Sequence, residues 1–175
     1  LFASAYDPSS AYFVMLLEYL EPIKESDSIS GIGVDYTRQL LAELSKLHTQ
    51  GRDLVETPWV QTMISQHRIN NLTIMIEKDW PVLQEMCGEL VDPLKDINLL
   101  DRFLETMSYL NTLDQTIVHG DIKPDNLIIS NQGVTIIDWQ GFGTGPPSWD
   151  IAYCMCQCLT TEERRFYESE LLDSY

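Results

Sequence analysis

A chain of 175 residues, with 44% apolar and 22% charged side chains, carries enough apolar material for one packed domain and too little length for two. Eleven Lys and Arg against 27 Asp and Glu leave a net charge of −16, which repels phosphate backbones and anionic lipid, so neither nucleic acid nor a membrane is an expected partner. Such a surface either attracts a cation, for instance an amine-bearing small molecule, or simply solvates the fold.

The opening LFASAYDPSS lacks a basic start and an apolar stretch, so it does not read as a signal peptide, and no initiator Met precedes it. The sequence is therefore expected to begin inside a longer protein. Residues 11–20 (AYFVMLLEYL) read as a strand running into a linker, bounded by Pro22 and the polar stretch 24–31. From Val34, the apolar positions Leu40, Leu41, Leu44 and Leu47, with His48, recur at helical spacing and predict an amphipathic helix over 34–49 that stops at Gly51. Thr57-Pro58 predicts an N-cap and first helical residue, with Trp59, Val60, Met63, Ile64 and His67 on one face. A further helix is expected over about 70–87, interrupted near Pro81, and another over roughly 96–112. His48 and His67 read as packed or surface residues.

At Thr116 the character changes. Asn126–Ser130 and Val134–Asp138 are short β-rich runs around Asn131-Gln-Gly133, which predicts a hairpin. A Gly- and Pro-rich loop follows, and helix returns at Asp150. No apolar run reaches the roughly 20 residues of a membrane span. In Cys154-Met-Cys-Gln-Cys158, helical spacing places the outer two thiols on one face and Cys156 elsewhere. That arrangement suits buried reduced thiols better than a zinc site, and a reducing, cytoplasmic setting is expected.

Three elements carry chemistry: His119-Gly-Asp121, Asn126 five residues later, and Asp138 at the far end of the hairpin. Phosphoryl transfer asks little covalent chemistry of a protein. It needs metal ions against the phosphates and a group that orients and deprotonates the attacking hydroxyl. Magnesium takes hard oxygen ligands, which Asn126 and Asp138 supply, and the hairpin returns the one beside the other. A carboxylate ending an apolar strand, as Asp138 is expected to, is costly unless paired or metal-bound.

His119-Gly-Asp-Ile-Lys-Pro-Asp-Asn126 followed by Ile137-Asp-Trp-Gln140 resembles the catalytic and metal-binding loops of aminoglycoside phosphotransferases, a pattern shared by choline kinases and other kinase-like small-molecule phosphotransferases. The resemblance implies an α+β fold, that of a protein kinase-like C-terminal lobe. It also implies ATP and Mg2+ as cofactors, Asp121 as catalytic base, His119 as a loop-ordering residue, and Asn126 and Asp138 as magnesium ligands. Lys123 either contacts the transferring phosphate or is a solvated loop lysine. Leu16–Leu20 resembles a hinge strand, where the backbone of Glu18 and Leu20 would meet the adenine. Asp150 resembles the helix-start aspartate that braces the catalytic loop, with simple N-capping as the plain reading.

The expected organisation is a hinge strand and linker over 1–22, a helical acceptor-binding region over 33–115, catalytic and metal loops over 116–150, and a C-terminal helix over 151–175, with the N-terminal lobe absent. The expected activity is transfer of the γ-phosphate to a hydroxyl of a small acceptor, cationic acceptors included, with the isolated fragment poorly active. A protein kinase-like or non-catalytic pseudokinase module is the alternative. Against a protein kinase, Trp and Gln follow Asp138, and only twelve positions lead from it to Asp150, too few for an activation segment.

Overall fold

The computed structural model describes residues 2–24, 27–94 and 96–175, so Glu25 and Ser26 of the expected polar linker lie outside it. Helices and antiparallel two-stranded ribbons alternate along the chain. β1 (Ala3–Asp7) and β2 (Tyr12–Leu16) form the first ribbon, in the register Ala3 to Leu16 through Asp7 to Tyr12. The strand expected over 11–20 is thus shorter, and it is paired with a strand the sequence pattern did not suggest. Both strands are exposed on both faces.

α1 (Val34–Gln50) follows the predicted period, with Thr37, Leu40, Leu41, Leu44 and His48 on its buried stripe. Gly51 does end this helix, but with φ −68 it is not the left-handed cap glycine usually supplies. Its role is close approach. A Cβ there would lie 2.8 Å from Ile117 Cβ and 2.9 Å from Thr116 Oγ1. The Thr116 hydroxyl also donates to the His48 carbonyl at 2.6 Å, satisfying one of the helix's terminal oxygens.

No helix begins at Thr57. Residues 57–64 are turns and extended chain, and α2 runs unbroken from Gln66 to Cys87 with Ser65 as N-cap and Pro81 inside it. Tertiary pairing outweighs the local Thr-Pro signal here. Met63 N–H donates to the Thr144 carbonyl at 2.8 Å and Thr144 N–H to the Gln61 carbonyl at 2.9 Å, which holds Thr62 in a parallel bridge to Thr144. α3 (Leu99–Leu110) is capped by Asn98.

β3 (Thr116–Val118) pairs with β6 (Gly143–Gly145), and β4 (Leu127–Ser130) pairs with β5 (Gly133–Ile136). α4 (Ser148–Gln157) and α5 (Thr161–Ser174) divide the C-terminal region expected to be one helix; Thr160 and Glu163 form a capping box at the break. The main core joins Leu40, Leu41 and Leu44 of α1 to Ile122, Leu127 and Ile129 below and to Cys154, Met155 and Leu171 behind. A second cluster joins Met63, Ile64 and Met107 to Val118 of β3. Cys154 and Cys158 are buried and unoxidised while Cys156 is exposed; the Cys158 contact and burial push the Cys154 thiol well up. Among the described residues no helix is long and apolar enough to cross a membrane.

Candidate active site

His119, Gly120 and Asp121 leave β3 between the two cores. Gly120 stands at φ +87, and a Cβ there would come within 2.4 Å of Met63 Cε and 2.8 Å of the Gly141 carbonyl, so the position tolerates only glycine. His119 is fully buried. Its Nε2 lies 2.9 Å from the Ile137 carbonyl, and its Nδ1 accepts from the Asp121 N–H at 3.3 Å. A carbonyl only accepts and an amide N–H only donates, so the ring carries its proton on Nε2. One side chain therefore fixes the loop at Asp121 and the strand end beside Asp138.

Asn126 is buried and its amide nitrogen donates twice, to the Asp121 carbonyl at 2.8 Å and to Asp121 Oδ2 at 2.9 Å. Lys123 Nζ meets the same Oδ2 at 2.8 Å. Among the described residues no hydrogen bond reaches Asp121 Oδ1 or Asn126 Oδ1. Partial burial works to raise the Asp121 pKa, but the hydrogen bonds from Lys123 and Asn126 outweigh it and hold the carboxyl below its usual range. Asp121 and, at longer range, Asp125 and Asp138 in turn push the Lys123 ammonium up.

Ile137 N–H donates to the Asn126 carbonyl at 2.9 Å, so Asn126 and Asp138 do lie at the same open end of the β4–β5 ribbon. Asp138 differs from expectation in its surroundings. β5 ends at Ile136 and Asp138 is exposed, so the cost of a buried carboxylate does not apply to it. It is instead one of the described non-glycine residues with a left-handed backbone (φ 60, ψ 61), a conformation sustained only when its neighbours impose it. Gln140 donates to its Oδ2 at 3.3 Å.

Asp150 does not cap α4, whose N-cap is Pro147. Fully buried, it accepts from the His119 N–H at 2.7 Å on Oδ2 and from the Gly120 N–H at 2.8 Å on Oδ1. His48 Nε2 approaches Oδ2 at 3.2 Å, and His48 Nδ1 lies 2.6 Å from the Tyr175 hydroxyl. His48 and Tyr175 are the participants that sequence reasoning missed. A histidine on an apolar helix stripe signals a need for buried partners, but the partner lies 102 residues away. Burial first, then the Asp150 charge, raises the Tyr175 pKa. Tyr175→Phe should leave His48 Nδ1 without its partner and cost about 1 kcal/mol in urea unfolding; no change would remove Tyr175 from the brace.

Glu18 and Leu20 are not brought to this cluster. With Ser130, Asn131 and Gln132 they line a shallow cavity of about 140 Å³ at the closed turn of the β4–β5 ribbon. The linker then runs along β4, Ile23 N–H donating to the Ile129 carbonyl at 2.9 Å. A larger cavity of about 530 Å³, lined by Pro22, Lys24, Asp125, Leu127 and Ile137, lies between linker and ribbon.

No curated protein matches this sequence. Among solved structures the chain is similar to the choline kinase LicA from Streptococcus pneumoniae, with 16% identity, a TM-score of 0.48, and coverage of 99% of this chain and 55% of that one. It is also similar to LicA in complex with AMP, with 18% identity, a TM-score of 0.44, and coverage of 95% and 53%. The chain thus spans about half the length of these structures. The model of the phosphotransferase enzyme family matches residues 7–175, nearly the whole sequence, and the chain belongs to that family.

Proposed function

We propose that the protein moves the γ-phosphoryl group of ATP to a hydroxyl of a small molecule, on the C-terminal lobe of a protein kinase-like fold. The observation that carries this reading is the double hydrogen bond of His119, which ties the Asp121 loop to the strand end at Asp138. Asp121 offers its uncommitted Oδ1 to the acceptor hydroxyl and takes its proton as the oxygen attacks phosphorus. The new oxygen–phosphorus bond forms as the bond to the β-phosphate oxygen breaks, its electron pair leaving with ADP. Lys123, anchored on Oδ2, holds the carboxylate in place and offers its ammonium to the transferring group.

Asn126 and Asp138 fit a magnesium ion: the Asn126 nitrogen is spent on Asp121, which leaves its carbonyl oxygen, and the Asp138 carboxylate is open. Bound there, the ion would neutralise phosphate charge. The base of the nucleotide would lie toward Glu18 and Leu20 and its phosphates toward the open end, along a ribbon of about 13 Å at ~3.3 Å per residue. Residues 139–147 are taken up by a 3-10 turn, β6 and the approach to α4, which leaves no segment to seat a peptide and favours a small acceptor over a protein.

An acceptor screen that follows ADP release tests the activity. Asp138→Ala should weaken magnesium-dependent nucleotide binding at least about tenfold, since even outer-shell partners of a metal cost that much. Titration calorimetry with and without Mg2+ checks it, and equal affinities would remove Asp138 from the metal site.

A further inference from the structure

A cavity of about 300 Å³ opens between the start of α2 and residues 140–142. Its walls carry Gln61, Thr62, Ser65, Asn71 and Gln140, hydrogen-bonding side chains suited to hydroxyls. Two other lining residues, Met63 and Gly141, are those that crowd Gly120, the neighbour of Asp121. Gln140 also reaches Asp138. Ile137 faces the linker cavity and Gln140 this one, so the chain passes from one to the other through Asp138.

The charge in this cavity is opposite to that of the whole chain. No Asp or Glu lines it, and Arg68 does. The half-buried Arg68 side chain donates to Met63 Sδ at 2.9 Å and, among the described residues, meets no carboxylate. No described carboxylate neutralises this guanidinium, so its charge is open to a ligand in the cavity. Its planar fork matches a carboxylate or phosphate.

We propose that this cavity is the acceptor site and that it takes a polyhydroxylated molecule bearing an anionic group, with Arg68 as its counter-ion. The acceptor is then an acid rather than the amine that the global charge suggests. This rests on the phosphotransferase reading above, which supplies the hydroxyl chemistry.

Matched alcohols separate the alternatives: glycerate, glycerol and 3-amino-1,2-propanediol, and gluconate, glucitol and 1-amino-1-deoxyglucitol. Binding by ligand-observed NMR and ADP release would be measured for the unaltered protein and for Arg68→Gln, with magnesium–nucleotide affinity followed in parallel. The expected result is a preference for the anionic member of a series that Arg68→Gln reduces about tenfold or more. Preference for a neutral or amino member, a preference unchanged in Arg68→Gln, or no binding by any member overturns the assignment. If nucleotide binding is intact, the failure belongs to this inference alone. If magnesium–nucleotide does not bind, the phosphotransferase reading fails and takes this one with it.

Discussion

Asp121→Asn is expected to lower kcat by about 10²–10⁴ while nucleotide affinity is little changed, the range usual for removing a positioned general base. Asparagine keeps the size of the side chain and an oxygen for the Asn126 and Lys123 donors, so the loop should hold its shape. What it cannot do is take a proton. Steady-state kinetics beside calorimetric nucleotide binding separate the two effects, and a variant retaining full turnover would remove Asp121 from the role of base. The pH profile adds a sign. Because the folded carboxyl titrates below its usual range, the Asp121 carboxylate stays ionised through neutral and mildly acidic pH and is lost only as the pH falls through the depressed value. Lys123→Met removes the first of the hydrogen bonds that lower it, so the acid limb of kcat should move to higher pH.

The second large effect is on stability. Asp150→Ala would leave the His119 and Gly120 N–H groups and the His48 imidazole without their shared acceptor in a dry interior. Each orphaned donor costs about 1–3 kcal/mol, so the three together cost about 3–5 kcal/mol at the low end of that range. At about 2–4 °C per kcal/mol for a chain of this size, the melting temperature should drop by about 10 °C. Thermal and urea unfolding would show it; a shift of a degree or two would mean that the loop holds itself without Asp150.

The parts of this site that were legible in the sequence are those packed into one short stretch. His119, Asp121 and Asn126 sit within eight residues, and β-branched runs around Gly133 announce the ribbon that brings Asp138 back. α1 was legible because its apolar period is strong and its end is set by a nearby glycine. What failed depends on partners far along the chain. Thr57-Pro58 carries a sound local start signal, overruled by Thr144 more than eighty positions later. β6 is Gly-Thr-Gly, whose two glycines disfavour a strand, and it exists because β3 lies beside it. The −16 net charge describes the surface and says nothing of one arginine in one cavity. Glu18 and Leu20 were placed by analogy with a strand that ends at Leu16, before reaching them.

The brace on the 119–121 loop also sets the order in which its parts become available during synthesis. The loop spans 119–121, but the carboxylate that holds it arrives with residue 150, and the hydroxyl that orients His48 arrives with residue 175. A chain emerging from the ribosome has α1, the loop and the β4–β5 ribbon in hand while His48 and the loop amides still lack their partners. Contacts of such long separation form late and slowly. The geometry of this loop is therefore expected to mature late, and a translation pause before Asp150 would leave the His119 and Gly120 amides without their acceptor.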